Sequence, residues 1–376
     1  MIMFESILKE AKDFINNDIR PFASEFDQKE QIPRSVIDKL ALKGYLSAPF
    51  PKKYGGLELD PLEYGQLTEQ IGMGCSSVRA FLTVHTSLVG ETILRWGSED
   101  QKDLWLPEMA LGNKLGAFAL SEPDVGSDAK NITTTYQRNN GKYIINGKKK
   151  WITLGYIADF FIVVAKNNKQ ISTFIVESNS KGIKRTKING LLGSKACYIA
   201  EIEFNNVEVP IDNILGKEGS GFTYIVNSAL DSGRYSISWG GLALAQEALN
   251  VMVNYSRNRK QFGEYIYKFQ LIQGMIGDSV TKIHALRALC QNAGKLRKEN
   301  SIESVTETTI AKYFASKVAV QVSNDTVQVL GGNGVHNNYP AERLYREAKI
   351  LEIIEGTSQI QQEIISFYGL RKYYKK

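Results

Sequence analysis

A single carboxylate, Glu355, sits in the stretch IIEGTSQIQQ, behind Ile350, Leu351, Ile353 and Ile354 and directly before Gly356. Apolar surroundings raise a carboxylate's pKa toward neutral, which suits a proton acceptor, and a glycine beside it permits close backbone approach or an unusual φ. Four other stretches hold residues able to grip a polar, partly flat ligand. FALSEPDVGSDA (118–129) offers the hydroxyls of Ser121 and Ser127, although Pro-Asp and Gly-Ser-Asp also form ordinary turns. KKWIT supplies Trp151, able to stack on a ring or to sit half-buried in a strand, and the hydroxyl of Thr153. RNRKQFG (257–263) is a basic cluster for a phosphate or for a helix C-terminus. VLGGNG (329–334) is an ordinary helix cap or a place of close approach to a pyrophosphate.

The elements that must position these residues follow from periodicity. From Phe4 to about residue 111 apolar residues recur at three-to-four spacing, as in ESILKEAKDFINNDIRPFASEFD and SVIDKLALKGYL, which predicts helices. From about 115 to 216 the chain turns to short runs rich in Ile, Val, Phe and Tyr, broken by Asn-Gly, Asn-Asn and Lys-Gly, which predicts strands and turns. INGKKKW contains an Asn-Gly pair, a tight-turn signal. After GKEGSGF long amphipathic helices return. The expected division is 1–114 helical, 115–219 β and 220–376 helical.

Composition narrows the chemistry. With 43% hydrophobic and 23% charged residues over 376 positions, the chain is globular and long enough for two or three domains. Three scattered cysteines without a CxxC, and three histidines without ligand spacing, argue against disulfides and a metal centre and fit a reducing cytoplasm. The N-terminal stretch, acidic and amphipathic, does not read as a signal peptide, and no 18-residue apolar run predicts a membrane span. Neither GxGxxG after a strand nor GxxxxGK[ST] occurs, so a Rossmann or P-loop site is not indicated. The net charge of +6 describes a solvated Lys-rich surface or one that steers an acidic partner; no basic run interleaved with aromatics points to nucleic acid.

In this order and on this plan, FALSEPDVGSD, KKWIT, LDSGR, RNRKQFG, QVLGGNG and IIEGTSQIQ resemble the acyl-CoA dehydrogenase superfamily from end to end. The resemblance implies an α+β fold: an N-terminal helical domain, a middle β-barrel-like domain and a C-terminal four-helix bundle. It implies noncovalent FAD, with Phe118, Leu120, Ser121 and Ser127 along the flavin and its phosphates, and Trp151 and Thr153 flanking the ring. Ser121 stands where many relatives have Thr and keeps the hydroxyl. Arg259, Phe262, Gln270, Gln328 and Gly332 would reach the FAD of a neighbouring subunit, which makes a homo-oligomer part of the site, and Thr357 and Gln359 would also touch FAD. Glu355 would take the α-proton of a thioester as hydride leaves the β-carbon, with Gly356 beside it. Some relatives carry the base just before the Arg of the LDxxR helix; that position is Gly233 here and cannot serve. Asp231 and Arg234 match positions near the thioester arm, or form an i, i+3 ion pair.

The acyl end of the pocket falls in the same resemblance to CSSVRAFLTVH (75–85), where Arg79 and Thr83 are expected to face the substrate. A buried Arg requires an anion or several acceptors, from substrate or from a protein carboxylate, and an alkyl chain supplies neither. The pattern is similar to a subgroup acting on acyl carrier proteins in polyketide and nonribosomal peptide pathways, where aminomalonyl or hydroxymalonyl extender units are made from seryl- or glyceryl-derived three-carbon units. That implies a carrier-protein partner, an upstream hydroxyacyl dehydrogenase delivering the aldehyde, and oxidation of its hydrate at C3. The alternative is a short-chain acyl-CoA dehydrogenase that forms a 2,3-enoyl thioester and passes electrons to an electron-transfer flavoprotein. A non-catalytic scaffold relative is disfavoured by the intact Glu355 and flavin motifs.

Overall fold

The computed structural model describes residues 2–374. The chain begins with helices α1 (Ile2–Phe14), α2 (Ala23–Lys29), α3 (Arg34–Leu42), α4 (Pro61–Gly74), α5 (Ser76–Leu82), α6 (Glu91–Trp96) and α7 (Glu99–Ala110). Local chemistry sets the starts: Asp60 and Glu63 form a reciprocal capping box with Pro61 at the first position of α4, and Ser98 and Gln101 do the same for α7. After Leu82 the helix carrying Arg79 widens into buried π-type turns, Thr83–Gly90. Such widening recurs at functional sites.

Strands β1 (Gly116–Ala119), β2 (Thr135–Asn139), β3 (Lys142–Ile152), β4 (Phe160–Asn167), β5 (Gln170–Glu177), β6 (Ile183–Lys187), β7 (Ala200–Pro210) and β8 (Ile214–Leu215) form one sheet. Its order is β6-β7-β3-β2-β4-β5-β8, with β1 parallel to β4. The run Phe160–Ala165 is buried on both faces, as a central strand requires. One expectation fails here. Asn146-Gly147 makes no turn and lies inside β3; the β2–β3 turn is Asn140-Gly141, whose φ values of 46° and 77° suit a primed turn. Gly147 instead marks a bulge against β7, where a Cβ would lie 2.5 Å from Thr134 Oγ1.

The C-terminal region is helical again: α8 (Asn227–Asn258), α9 (Gln270–Lys298), α10 (Ser304–Leu330), α11 (Ala341–Leu351) and α12 (Ser358–Tyr373). α8 packs on α4, α9 and α10, and α12 packs on α10. Small residues allow a close crossing: a Cβ on Gly241 would meet Ala315 Cβ of α10 at 2.8 Å. Through its buried middle, Tyr235–Ala245, α8 joins the helical core to the face on which the candidate site lies. No helix among the described residues is long and apolar enough to cross a membrane.

Candidate active site

Glu355 lies in the turn between α11 and α12, with φ +54°, followed by Gly356 at +90°. A left-handed non-glycine residue costs about 1–3 kcal/mol and persists only where its surroundings fix it. Three helices supply that fixing. Arg234 Nε of α8 donates to the Glu355 carbonyl at 3.2 Å. Gln361 Nε2 of α12 donates to the same oxygen at 3.1 Å and lies 3.2 Å from the Gly356 carbonyl. Lys312 Nζ of α10 donates to the Gly356 carbonyl at 2.6 Å. Thr357, not Glu355, caps α12, accepting from the Ile360 N–H at 3.3 Å.

The Glu355 carboxylate has no such support. Its Oε2 is sealed from solvent and has no hydrogen-bond partner among the described residues. Burial pushes its pKa up to about 7, against the opposing pull of the Arg234, Lys312 and Arg79 cations. Opposite it stands Gly233, where a Cβ would lie 2.4 Å from Oε2 and 2.7 Å from Cδ. The α8 backbone at Gly233 is therefore the wall against which the carboxylate rests.

Arg79 is 1% exposed. Its Nη1 donates to Thr83 Oγ1 at 2.9 Å and to the Ser236 carbonyl at 3.1 Å, and Thr83 Oγ1 lies 2.7 Å from Ser236 Oγ. Nη2 has no partner, and no carboxylate pairs with Arg79 among the described residues, so the protein-carboxylate alternative falls. Burial pulls its pKa down only to about 10, leaving it charged at neutral pH. Gly240 makes its room: a Cβ there would meet Arg79 Cζ at 2.4 Å. The sequence alone does not single out Ser236 and Gly240; the signal it holds is two glycines, 233 and 240, seven residues apart on one face of a long helix.

Asp231 and Arg234 do not pair with each other. Asp231 binds Arg297 Nη1 at 2.7 Å, while Arg234 serves the Glu355 carbonyl. The i, i+3 geometry is available, but Arg297 of α9 reaches Asp231 first, and the turn at Glu355 needs a donor.

The expected cofactor residues fall into two groups. Phe118 is buried in β1; Leu120 and Ser121 follow it, and Ser121 Oγ donates to the Lys150 carbonyl at 2.7 Å, leaving its lone pairs free to accept. Ser127 is exposed beside Gly126, around which a Cβ would meet nothing within 4 Å. Trp151 is the last residue but one of β3, at φ +63° with half of its surface open, and Thr153, just past the strand, makes no hydrogen bond from its hydroxyl among the described residues. The second group is on the helical bundle: Arg259, Phe262 and Gly332 line one cleft of about 440 Å³ together with Tyr255, Gly331 and Asn333. Phe262 is 95% exposed. Gln270 at the start of α9 and Gln328 near the end of α10 are exposed near it but outside the lining, and Gln359 is exposed on α12. An open indole, free hydroxyls, an Arg and unfilled glycine corners are the donors and surfaces that a flavin dinucleotide needs, so these residues fit FAD. No group of three His, Cys, Asp or Glu side chains placed to hold a metal ion occurs among the described residues. His85 is buried, held by the Met109 carbonyl, and burial pulls it down to about 4, so it is a neutral packing residue.

A helical–sheet–helical chain that carries a desolvated carboxylate, together with residues that fit FAD, has the make-up of a flavin-dependent oxidoreductase of acyl thioesters. The chain belongs to the acyl-CoA dehydrogenase family: the N-terminal, middle and C-terminal domain descriptions of that family match residues 4–113, 117–207 and 219–367. It is an FAD-dependent enzyme of that family. It is 39% identical to an acyl-CoA dehydrogenase of Bacillus subtilis, over 96% of each chain. It is 37% identical, again over 96% of each, to the short-chain specific acyl-CoA dehydrogenase of Clostridium acetobutylicum. Among solved structures, butyryl-CoA dehydrogenase from Megasphaera elsdenii superposes with a TM-score of 0.95 at 35% identity over 99% of each chain. A glutaryl-coenzyme A dehydrogenase in complex with glutaryl-CoA gives 0.95 at 32%, over 100% of this chain and 98% of that one. FkbI, for biosynthesis of a methoxymalonyl extender unit, gives 0.88 at 27%, over 97% and 99%.

Proposed function

We propose that the chain oxidises a short acyl thioester, with Glu355 removing the α-proton. The observation that carries this is the sealed, unpartnered Oε2 of Glu355, pushed up to about pH 7 by burial and pressed against Gly233. A base for a weak carbon acid works best when its pKa lies near the operating pH. FAD, when bound by the residues above, supplies the hydride acceptor. Arg234, Gln361 and Lys312 hold the turn so that the carboxylate does not drift. The Glu355 and Gly356 N–H groups find no acceptor among the described residues, so they are free to stabilise enolate charge on a thioester oxygen. The short-chain relatives support a small acyl group. Three buried free cysteines suit a reducing cytoplasm, and the exposed Arg259–Phe262 corner suits a second copy of the chain completing the cofactor site.

One observation favours a second reading of the substrate. Arg79 is buried, charged and left with a free Nη2, so the far end of the acyl group carries an oxygen acceptor or a carboxylate. A three-carbon unit on an acyl carrier protein, handed over as an aldehyde by a hydroxyacyl dehydrogenase and taken toward an aminomalonyl or hydroxymalonyl unit, meets that need, and so does a dicarboxylic thioester. Anaerobic bleaching of the flavin separates them. Bleaching by butyryl-CoA alone establishes the plain short-chain enzyme. Bleaching by glutaryl-CoA, or by seryl- or glyceryl-loaded carrier protein with its partner dehydrogenase, establishes the polar substrate. No bleaching by any of them overturns the proposal.

A further inference from the structure

We infer that Lys312 is a positioning residue for the Glu355 base, fixing the left-handed Glu355–Gly356 turn through the Gly356 carbonyl and holding a positive charge beneath the carboxylate. The inference rests on Glu355 being the base. Lys312 is fully buried near the middle of α10, an expensive place for an ammonium without a purpose. It forms no ion pair with a carboxylate among the described residues; its hydrogen bond goes to a backbone oxygen, 2.6 Å away. Of the carboxylates that face it, Glu352 is committed to Lys317 and Lys349, each at 2.6 Å, which leaves Glu355 as the free one. The other cations facing Glu355 are Arg234 from α8 and Arg79 from α5. Arg234 and Gln361 secure the Glu355 carbonyl, but among the described residues the Gly356 carbonyl has only Lys312 and a longer contact to Gln361. Lys312 thus joins two jobs, backbone grip and charge, as Arg234 does at the neighbouring carbonyl, whereas Gln361 and Arg79 each do one.

A merely structural lysine and a positioning one differ in what they do to the base. Lys312→Gln removes the charge and keeps a donor. It raises the acid limb of kcat/KM by about 1 pH unit, since loss of a nearby cation disfavours the carboxylate. Lys312→Arg keeps the charge and leaves the limb in place. Gln361→Leu loosens the turn without changing charge, so kcat falls by roughly 10-fold or more while the limb stays. The substrate is butyryl-CoA, or whichever thioester alone bleaches the flavin. Cofactor-free protein carrying carboxyl-labelled Glu, titrated by carbon NMR, reports the same Glu355 midpoint independently of turnover and for any variant that folds. Identical midpoints in wild type, Lys312→Gln and Lys312→Arg overturn the inference and leave Lys312 a packing residue. A Glu355→Gln enzyme that still turns over overturns the underlying assignment of the base, which is a separate failure.

Discussion

Gly233→Ala sets stability and activity against each other. The added methyl would stand 2.4 Å from Glu355 Oε2 and 2.7 Å from Cδ, where ordinary contact begins at 3.4 Å. The α8 backbone cannot yield, since residues 235–245 are buried against three helices. The carboxylate therefore retreats by about 1 Å, or rotates away, and a displacement of that size at a reacting group costs roughly 10²-fold in rate. The same methyl contributes about 1 kcal/mol of helix propensity, offset by its approach to Leu88 Cδ2 at 2.9 Å. Net stability thus changes little. The expected result is a variant that melts near wild type and carries its flavin, with kcat down about 100-fold and KM little changed. Solvent-deuterium exchange at the substrate α-carbon, followed by mass spectrometry, isolates the proton-transfer step and falls with kcat. Wild-type exchange and turnover in a folded Gly233→Ala enzyme would refute the placement of the base against α8.

Two further results follow from the site's charges. The Glu355 carboxyl keeps its proton in the folded chain up to about pH 7 but loses it near 4.5 when unfolded, so its ionisation destabilises the fold progressively between those values and fully above them. Glu355→Gln should raise the stability of the cofactor-free protein at pH 8 by up to about 3 kcal/mol, a gain that disappears near pH 4.5; urea melts at the two pH values measure it. Arg79→Met removes the charged group with the free Nη2. If the substrate ends in a carboxylate, its kcat/KM drops by roughly 10- to 100-fold while that of butyryl-CoA holds or rises, and equal losses on both would show that Arg79 only packs.

The sequence made Glu355 conspicuous because a charge among Ile350, Leu351, Ile353 and Ile354 breaks a local rule, and local rules are what sequence displays. The helical, then sheet, then helical plan was legible for the same reason: side-chain period and capping residues such as Asp60 and Ser98 act within a few positions. What escaped depends on partners far along the chain. Lys312 and Gln361 matter through backbone carbonyls at 355 and 356, and a carbonyl has no residue type to read. Asp231 and Arg234 have the spacing of an ion pair, yet Arg297 of α9 and the turn at Glu355 outcompete it. Asn146-Gly147 has the composition of a hairpin turn, but Asn140-Gly141 already closes that hairpin, and β7 needs a bulge where Gly147 lies.

Gly233 links what the sequence displays to what the fold requires. Read along the chain it was only a position unable to act as a base. In the fold, a Cβ at that position points at the Glu355 carboxylate, so a side chain from α8 and one from the turn after α11 address the same point in space. Only one of them can be there. Gly240, two turns further along the same face, makes the corresponding space for Arg79, and Ser236 between them supplies a carbonyl and a hydroxyl to the Arg79–Thr83 cluster. Each glycine costs α8 about 1 kcal/mol of helix propensity. Of the three glycines in α8, Gly241 lets α10 approach, and the other two stand where a charged side chain needs room, so the helix is shaped around the Glu355 carboxylate at one point and the Arg79 cation at the other.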